Sequence, residues 1–155
     1  TDKRKEDDED GDMDWDEELL GEMEGGEPND RFSSYWDDDT EMTYPLILAK
    51  IPVKNPWEIF AYLPFGNWND CADMPELMAV AKYWFEKYGA VPAAMTHDEL
   101  EFSLPAPVPT EKAMEAAVEQ YGFCPDVLDQ GPEDATVGAL ADVLRQSKVW
   151  YFWWD

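Results

Sequence analysis

The chain reads as an α+β fold, a mostly antiparallel sheet with about three helices packed on it and the C-terminal aromatic strand at its centre. Three observations predict this. The chain closes on Trp150-Tyr151-Phe152-Trp153-Trp154-Asp155, where odd and even positions are both aromatic, the pattern of a strand covered on two faces. Several short runs alternate apolar and polar residues between turn signals. Three windows carry apolar residues at a 3.6 period behind recognisable caps.

The 155 residues suit one domain, and eight Trp supply large rings for a core. Net charge is −25, from 36 Asp/Glu against 11 Lys/Arg. Such a surplus repels nucleic acid and anionic membranes and attracts basic proteins, so no direct nucleic-acid or membrane partner is expected. No apolar run reaches the length of a membrane span, and neither a signal peptide nor a location other than the cytoplasm is expected. Cys71 and Cys124 offer no metal-ligand spacing and read as buried thiols.

Residues 1–43 read as an acidic, low-complexity arm and residues 44–155 as a single α+β domain. Within the arm, Trp15, Leu19, Leu20 and Met23 share one helical face, which predicts a marginal helix over Asp14 to Glu24 in an otherwise solvated tail. Phe32, Tyr35 and Trp36 precede the carboxylate cluster Asp37, Asp38 and Asp39. That cluster lacks the spacing of a calcium loop, and no dedicated metal site is expected.

Leu46 to Val53 predicts a strand with Ile47, Ala49, Ile51 and Val53 on one face. Trp57 to Leu63 predicts a second, joined to it at the Asn55-Pro56 turn. An aromatic-rich loop follows, Pro64 to Cys71. Asp73-Met74-Pro75-Glu76 carries the signature of a capped helix start, Leu77, Val80, Ala81, Trp84, Phe85 and Tyr88 give its apolar stripe, and Gly89 stops it. Two strands are predicted over Ala90 to Met95 and Glu99 to Leu104, the latter with Glu101 facing solvent. After a proline-rich linker, Thr110 caps a second helix with a stripe of Met114, Ala117, Val118 and Tyr121 that stops at Gly122. An irregular loop runs from Phe123 to Gly131, and a third helix is capped by Thr136.

Little in the sequence is suited to catalysis. His97 sits beside Asp98 in a predicted turn, where a solvated imidazole is expected. No nucleophile or phosphate-loop motif is present. The best candidate binding residues are Asn67, Trp68, Asn69, Asp70, Asp129, Gln130 and Asp155, polar groups set among large rings in the two loops and at the chain end.

The stretch from Pro52 to Asp155 resembles an uncharacterised bacterial and viral domain, domain of unknown function forty-two fifty-three. The resemblance rests on Ala61-Tyr62-Leu63-Pro64-Phe65-Gly66-Asn67-Trp68-Asn69, Trp84, Tyr88-Gly89-Ala90, Tyr121, Cys124-Pro125-Asp126, Asp129-Gln130-Gly131 and the closing hexapeptide. It implies a C-terminal domain of this length and no particular activity, cofactor or substrate.

These features argue for a non-enzymatic acidic interaction protein whose partner is a basic protein, steered by Asp37, Asp38 and Asp39 and without a cofactor. An immunity-type protein neutralising a basic toxin or nuclease fits, as does a nucleic-acid mimic. The competing expectation is a small enzyme or ligand-binding domain with a pocket lined by Asn67, Asn69, Asp129 and Gln130.

Overall fold

A computed structural model describes residues 19–155. Trp15 and the other residues of 14–18, the first part of the helix predicted over Asp14 to Glu24, lie outside the described residues. Leu19 and Leu20 are helical, and Gly21 (φ 59°) turns the chain, so nothing helical continues to Glu24.

Residues 22–34, expected as part of a solvated arm, lie against the domain. Gly26 N–H donates to Asp142 Oδ2 at 2.8 Å, Asn29 N–H to Ser147 Oγ at 2.8 Å, and Lys148 N–H to Asp30 Oδ1 at 3.1 Å. The approach is close because a glycine on each segment faces the backbone of the other. A Cβ on Gly138 would collide with the Glu22 carbonyl, and one on Gly26 would sit 2.5 Å from the Val143 nitrogen. Composition predicted a tail from its charge, and it missed these backbone contacts because they need no apolar side chain.

Strands β1 (Trp36–Asp37) and β2 (Met42–Thr43) form a small hairpin. The two strands predicted next are not formed. Residues 44–53 belong to no helix or strand, and Pro56–Ala61 is a 3-10 helix. Its start is fixed by Glu58, whose carboxylate accepts from the backbone N–H groups of Lys54 and Asn55 and from Asn55 Nδ2. Asn55-Pro56-Trp57-Glu58 is thus the same kind of helix start as Asp73-Met74-Pro75-Glu76. The alternation of Trp57, Ile59, Ala61 and Leu63 concealed it.

Helix α1 (Met74–Tyr88) starts where predicted, with Asp73 accepting from Glu76 N–H at 3.0 Å, and Gly89 ends it in the left-handed region at φ 73°. Strands β3 (Val91–Met95), β4 (Glu99–Ser103) and β5 (Val149–Trp153) form an antiparallel sheet in the order β3-β4-β5. The closing strand is therefore an edge strand, and β4 is central. Trp150, Phe152 and Trp154 point into the core, while Tyr151 and Trp153 lie on the opposite face with their polar tips engaged. Tyr151 Oη donates to Glu99 Oε1 at 2.5 Å and Trp153 Nε1 to Asp98 Oδ2 at 3.1 Å. Rings on both faces suggested a strand flanked on both sides, but Tyr and Trp also settle half-buried beside an acceptor. The open edge of β5 is met at Val149, whose N–H donates to Asn29 O at 3.1 Å.

Helix α2 (Thr110–Phe123) buries Ala113, Ala116, Ala117, Gln120 and Tyr121. Thr110, expected as its cap, is its first residue and makes no capping hydrogen bond, Val118, expected inward, is exposed, and Gly122 lies inside the helix instead of stopping it. Within the loop expected from Phe123 to Gly131 lies a short helix, α3 (Asp126–Asp129). Helix α4 (Val137–Leu144) is capped by the Thr136 hydroxyl, which accepts from Ala139 N–H at 3.1 Å. More helices thus pack on the sheet than the three expected, and the α+β class stands.

The core is a ring lattice centred on Trp84 of α1. Its ring stacks on Phe152 at 5.5 Å and meets Phe102, Phe123 and Trp150 edge-on. Burying one such ring contributes up to about 4–6 kcal/mol before ordering costs. On the sheet's other face Glu101 is fully buried. Its carboxylate accepts from Ser33 N–H at 2.8 Å, Ser34 N–H at 3.1 Å and Ser34 Oγ at 2.5 Å. It was expected to face solvent, and residues 33–34 cover it.

Candidate functional site

A cleft of about 650 Å³ opens between α1, α2 and residues 69–72. Its polar wall carries Asp70, Glu76 and Glu119, and its apolar wall Val80, Tyr83 and Trp84. The helix geometry assembles it. Tyr83 and Lys87 lie one turn apart on α1, Glu115 and Glu119 one turn apart on α2, and the two pairs face each other.

Glu119 is the hub. Its carboxylate accepts from Tyr83 Oη at 2.7 Å, Trp84 Nε1 at 3.1 Å, Lys87 Nζ at 2.6 Å and Tyr88 Oη at 3.4 Å. Burial raises the Glu119 pKa, but the hydrogen bonds from Lys87, Tyr83 and Trp84 outweigh it and hold the carboxyl below its usual value. Burial likewise opposes the charge on Lys87, while bonds to Glu115, Glu119 and the tyrosines overcome it and raise its pKa. The ammonium also sits 5.0 Å from the Tyr83 ring centre and 5.2 Å from that of Tyr88. Just beyond the Glu119 and Tyr83 side of the cleft, a cation thus sits between carboxylates and aromatic faces.

Cys71 lines the other end, and Cys124 is buried near it, its thiol 3.2 Å from the Trp153 carbonyl. Both cysteines are free. Burial pushes each thiol up to about 12, so neither is a ready nucleophile or metal ligand at neutral pH. Among the described residues, no group of three or more His, Cys, Asp or Glu is arranged to hold a metal ion. His97 is largely exposed in its turn, 3.4 Å from Asp98.

The residues singled out from the sequence are only partly brought together. Asn69 and Asp70 line the cleft. Asn69 also reaches the chain end, its Nδ2 donating to the Asp155 carbonyl, while Asp155 N–H donates to Asp126 Oδ2 at 3.0 Å. Trp68 packs edge-on against Phe65 and Trp154. Asn67 and Asn69 occupy left-handed backbone positions (φ 65° and 45°), which asparagine tolerates better than most residues. Asp129 accepts from Tyr121 Oη at 3.1 Å, and Gln130 closes α3 through its backbone. Neither Asp129 nor Gln130 lines the cleft. Asp38 and Asp39 are exposed and Asp37 half-buried, its carboxylate turned back onto the Asp39 N–H at 3.0 Å. Sequence reasoning missed Glu119, Tyr83 and Lys87. The signal was the i, i+4 spacing of Tyr83 with Lys87 and Glu115 with Glu119, which had no partner until the two helices were placed side by side.

The fold and cleft define an α+β domain with an acidic, aromatic-walled cleft between two helices. Residues 47–155 match the family model described as "Domain of unknown function (DUF4253)", and the chain belongs to that family. No curated protein and no solved structure gives a match to the chain. Among the described residues, no helix is long and apolar enough to cross a membrane.

Proposed function

We propose that this chain is an acidic interaction module that binds a basic protein, with the α1–α2 cleft receiving a lysine or arginine side chain of that partner. The carrying observation is the chemistry of the cleft wall: Glu119 and Tyr83, which line it, already hold Lys87 on their far side together with the Tyr88 ring, and the wall continues to Asp70 and Glu76 beside Trp84. A second cation entering between those carboxylates would meet the same combination of charge and ring faces. The surplus of 25 negative charges would speed the encounter and make it salt-sensitive. An immunity-type protein that neutralises a basic toxin or nuclease is one form of this reading, and a nucleic-acid mimic is another.

The competing reading, a small enzyme or ligand-binding domain, is favoured by the cleft's volume, which falls in the range of small-molecule sites. Its proposed residues count against it, because Asn67, Asp129 and Gln130 stand outside the cleft.

The test is a nuclear magnetic resonance titration with end-blocked peptides containing two arginines, two lysines or two glutamines. The cationic peptides should shift the signals of Asp70, Glu76 and Tyr83, and the shifts should fade between about 0.05 and 0.5 M salt. Asp70→Asn with Glu76→Gln should abolish them. Equal shifts with the glutamine peptide would overturn the cationic reading.

A further inference from the structure

We propose that residues 46–51, which join no sheet of this chain, become a strand on the exposed sheet edge of its basic partner, an inference that rests on the partner being basic. Leu46-Ile47-Leu48-Ala49-Lys50-Ile51 lies between Pro45 and Pro52 and belongs to no helix, strand or turn. Leu46 is 61 % exposed, Ile47 95 % and Leu48 101 %, so three large aliphatic side chains stand in water side by side. Exposed apolar runs of this kind mark interaction surfaces. Among the described backbone hydrogen bonds, those nearest are Tyr44 N–H to Tyr35 O at 2.8 Å and Val53 N–H to Ile51 O at 2.9 Å. None uses an N–H of residues 46–51, and of their carbonyls only that of Ile51 accepts. The segment therefore offers free donors, free acceptors and strand-forming side chains together, as strand addition requires.

Charge selects the occupant. The β1–β2 hairpin, directly before the segment, carries Asp37, Asp38, Asp39 and Glu41, while the segment itself has one cation, Lys50. A second copy of this chain would bring another −25 to the same place, which disfavours self-pairing. Protein sheet edges are commonly protected by lysines. An edge of that kind presents ammonium groups to the hairpin carboxylates while its backbone pairs with residues 46–51. The family match begins at residue 47, so most of the segment belongs to the family domain and not to the acidic arm.

The probe is an end-blocked β-hairpin peptide alternating lysine and valine, with a glutamate–valine hairpin as control. In the free protein the amides of residues 46–51 should exchange at close to unstructured rates. The lysine–valine hairpin should slow that exchange at least about tenfold, and the control should not. Leu48→Pro removes one donor without altering charge. It should weaken hairpin binding at least about tenfold while leaving the melting transition unchanged, because Leu48 is fully exposed and its amide unbonded. The proposal is overturned if saturating lysine–valine hairpin leaves these amides unprotected, if both hairpins protect them equally, or if protection grows with protein concentration alone. Protection at residues 46–51 without any response from Asp70 or Glu76 would sustain the strand and defeat only the cleft reading.

Discussion

Glu119 carries the clearest residue-level consequences. Replacing it with Gln keeps an acceptor but removes the charge facing Lys87, and should destabilise the fold by about 1–3 kcal/mol in a denaturant titration. The pH dependence follows from the directions of the shifts. A carboxyl held below its unfolded value contributes stability above that value, about 4.3, and loses it as pH falls through the lower folded value. Lys87, held above its unfolded value of about 10.4, contributes stability below that value and loses it only as pH rises through the higher folded value. Thermal melts between about pH 7 and pH 3 should therefore show a shallower acid decline in Glu119→Gln than in the parent chain. The decline should not vanish, since Asp142 is also lowered, by the Gly26 N–H first and then by Arg145. An unchanged acid limb would show that Glu119 is not coupled to folding. The thiols give a separate check. With both pushed up to about 12, Cys71 and Cys124 should resist alkylation at about pH 8 in the folded chain and react once it is unfolded.

At the scale of elements, much was legible where local chemistry and tertiary demand agree. Helix α1 has its cap, first-turn proline, stripe and stop within one window, and α4 has its Thr136 cap. Legibility failed where one pattern served two structures. The alternation across Trp57 to Leu63 suits a strand, yet Glu58 folds back on the Asn55 N–H and starts a helix. The second helix buries an alanine face, Ala113, Ala116 and Ala117, so that α4 can pack closely, and the larger Val118 faces water. The arm was least legible, because its attachment uses glycines and backbone N–H groups. Gly138→Ala tests that attachment. The new methyl group would meet the Glu22 backbone, so stability should drop by about 1–3 kcal/mol, and residues 22–34 should become open to limited proteolysis. Unchanged cleavage would show that residues 22–34 are not held against α4.

Across the whole molecule, the closing hexapeptide serves two roles that a central strand would not. Trp150, Phe152 and Trp154 complete the ring lattice around Trp84, while Tyr151 and Trp153 fix the β4 hairpin turn through Glu99 and Asp98. Its last residue ties the Asn69 loop to Asp126. Deleting Trp153-Trp154-Asp155 should abolish the cooperative melting transition, since it removes a ring that is only 1 % exposed and packs against Phe65, Trp68, Phe123 and Phe152. A truncated chain that melts like the parent would contradict this packing. The site was half legible. Asn69 and Asp70 were readable as loop residues near the chain end, but the cleft exists only once α1 and α2 lie side by side.

The acidic surplus, the acidic cleft and the exposed apolar run 46–51 support one proposal, that this chain holds a basic protein. The most direct measurement is the association rate with the partner captured from the source cells, from about 0.05 to 0.5 M salt, for the parent and for Asp70→Asn with Glu76→Gln. The account predicts a basic partner, a rate that falls steeply with salt, and faster dissociation in the double variant. A neutral or acidic partner whose rate is indifferent to salt would contradict it.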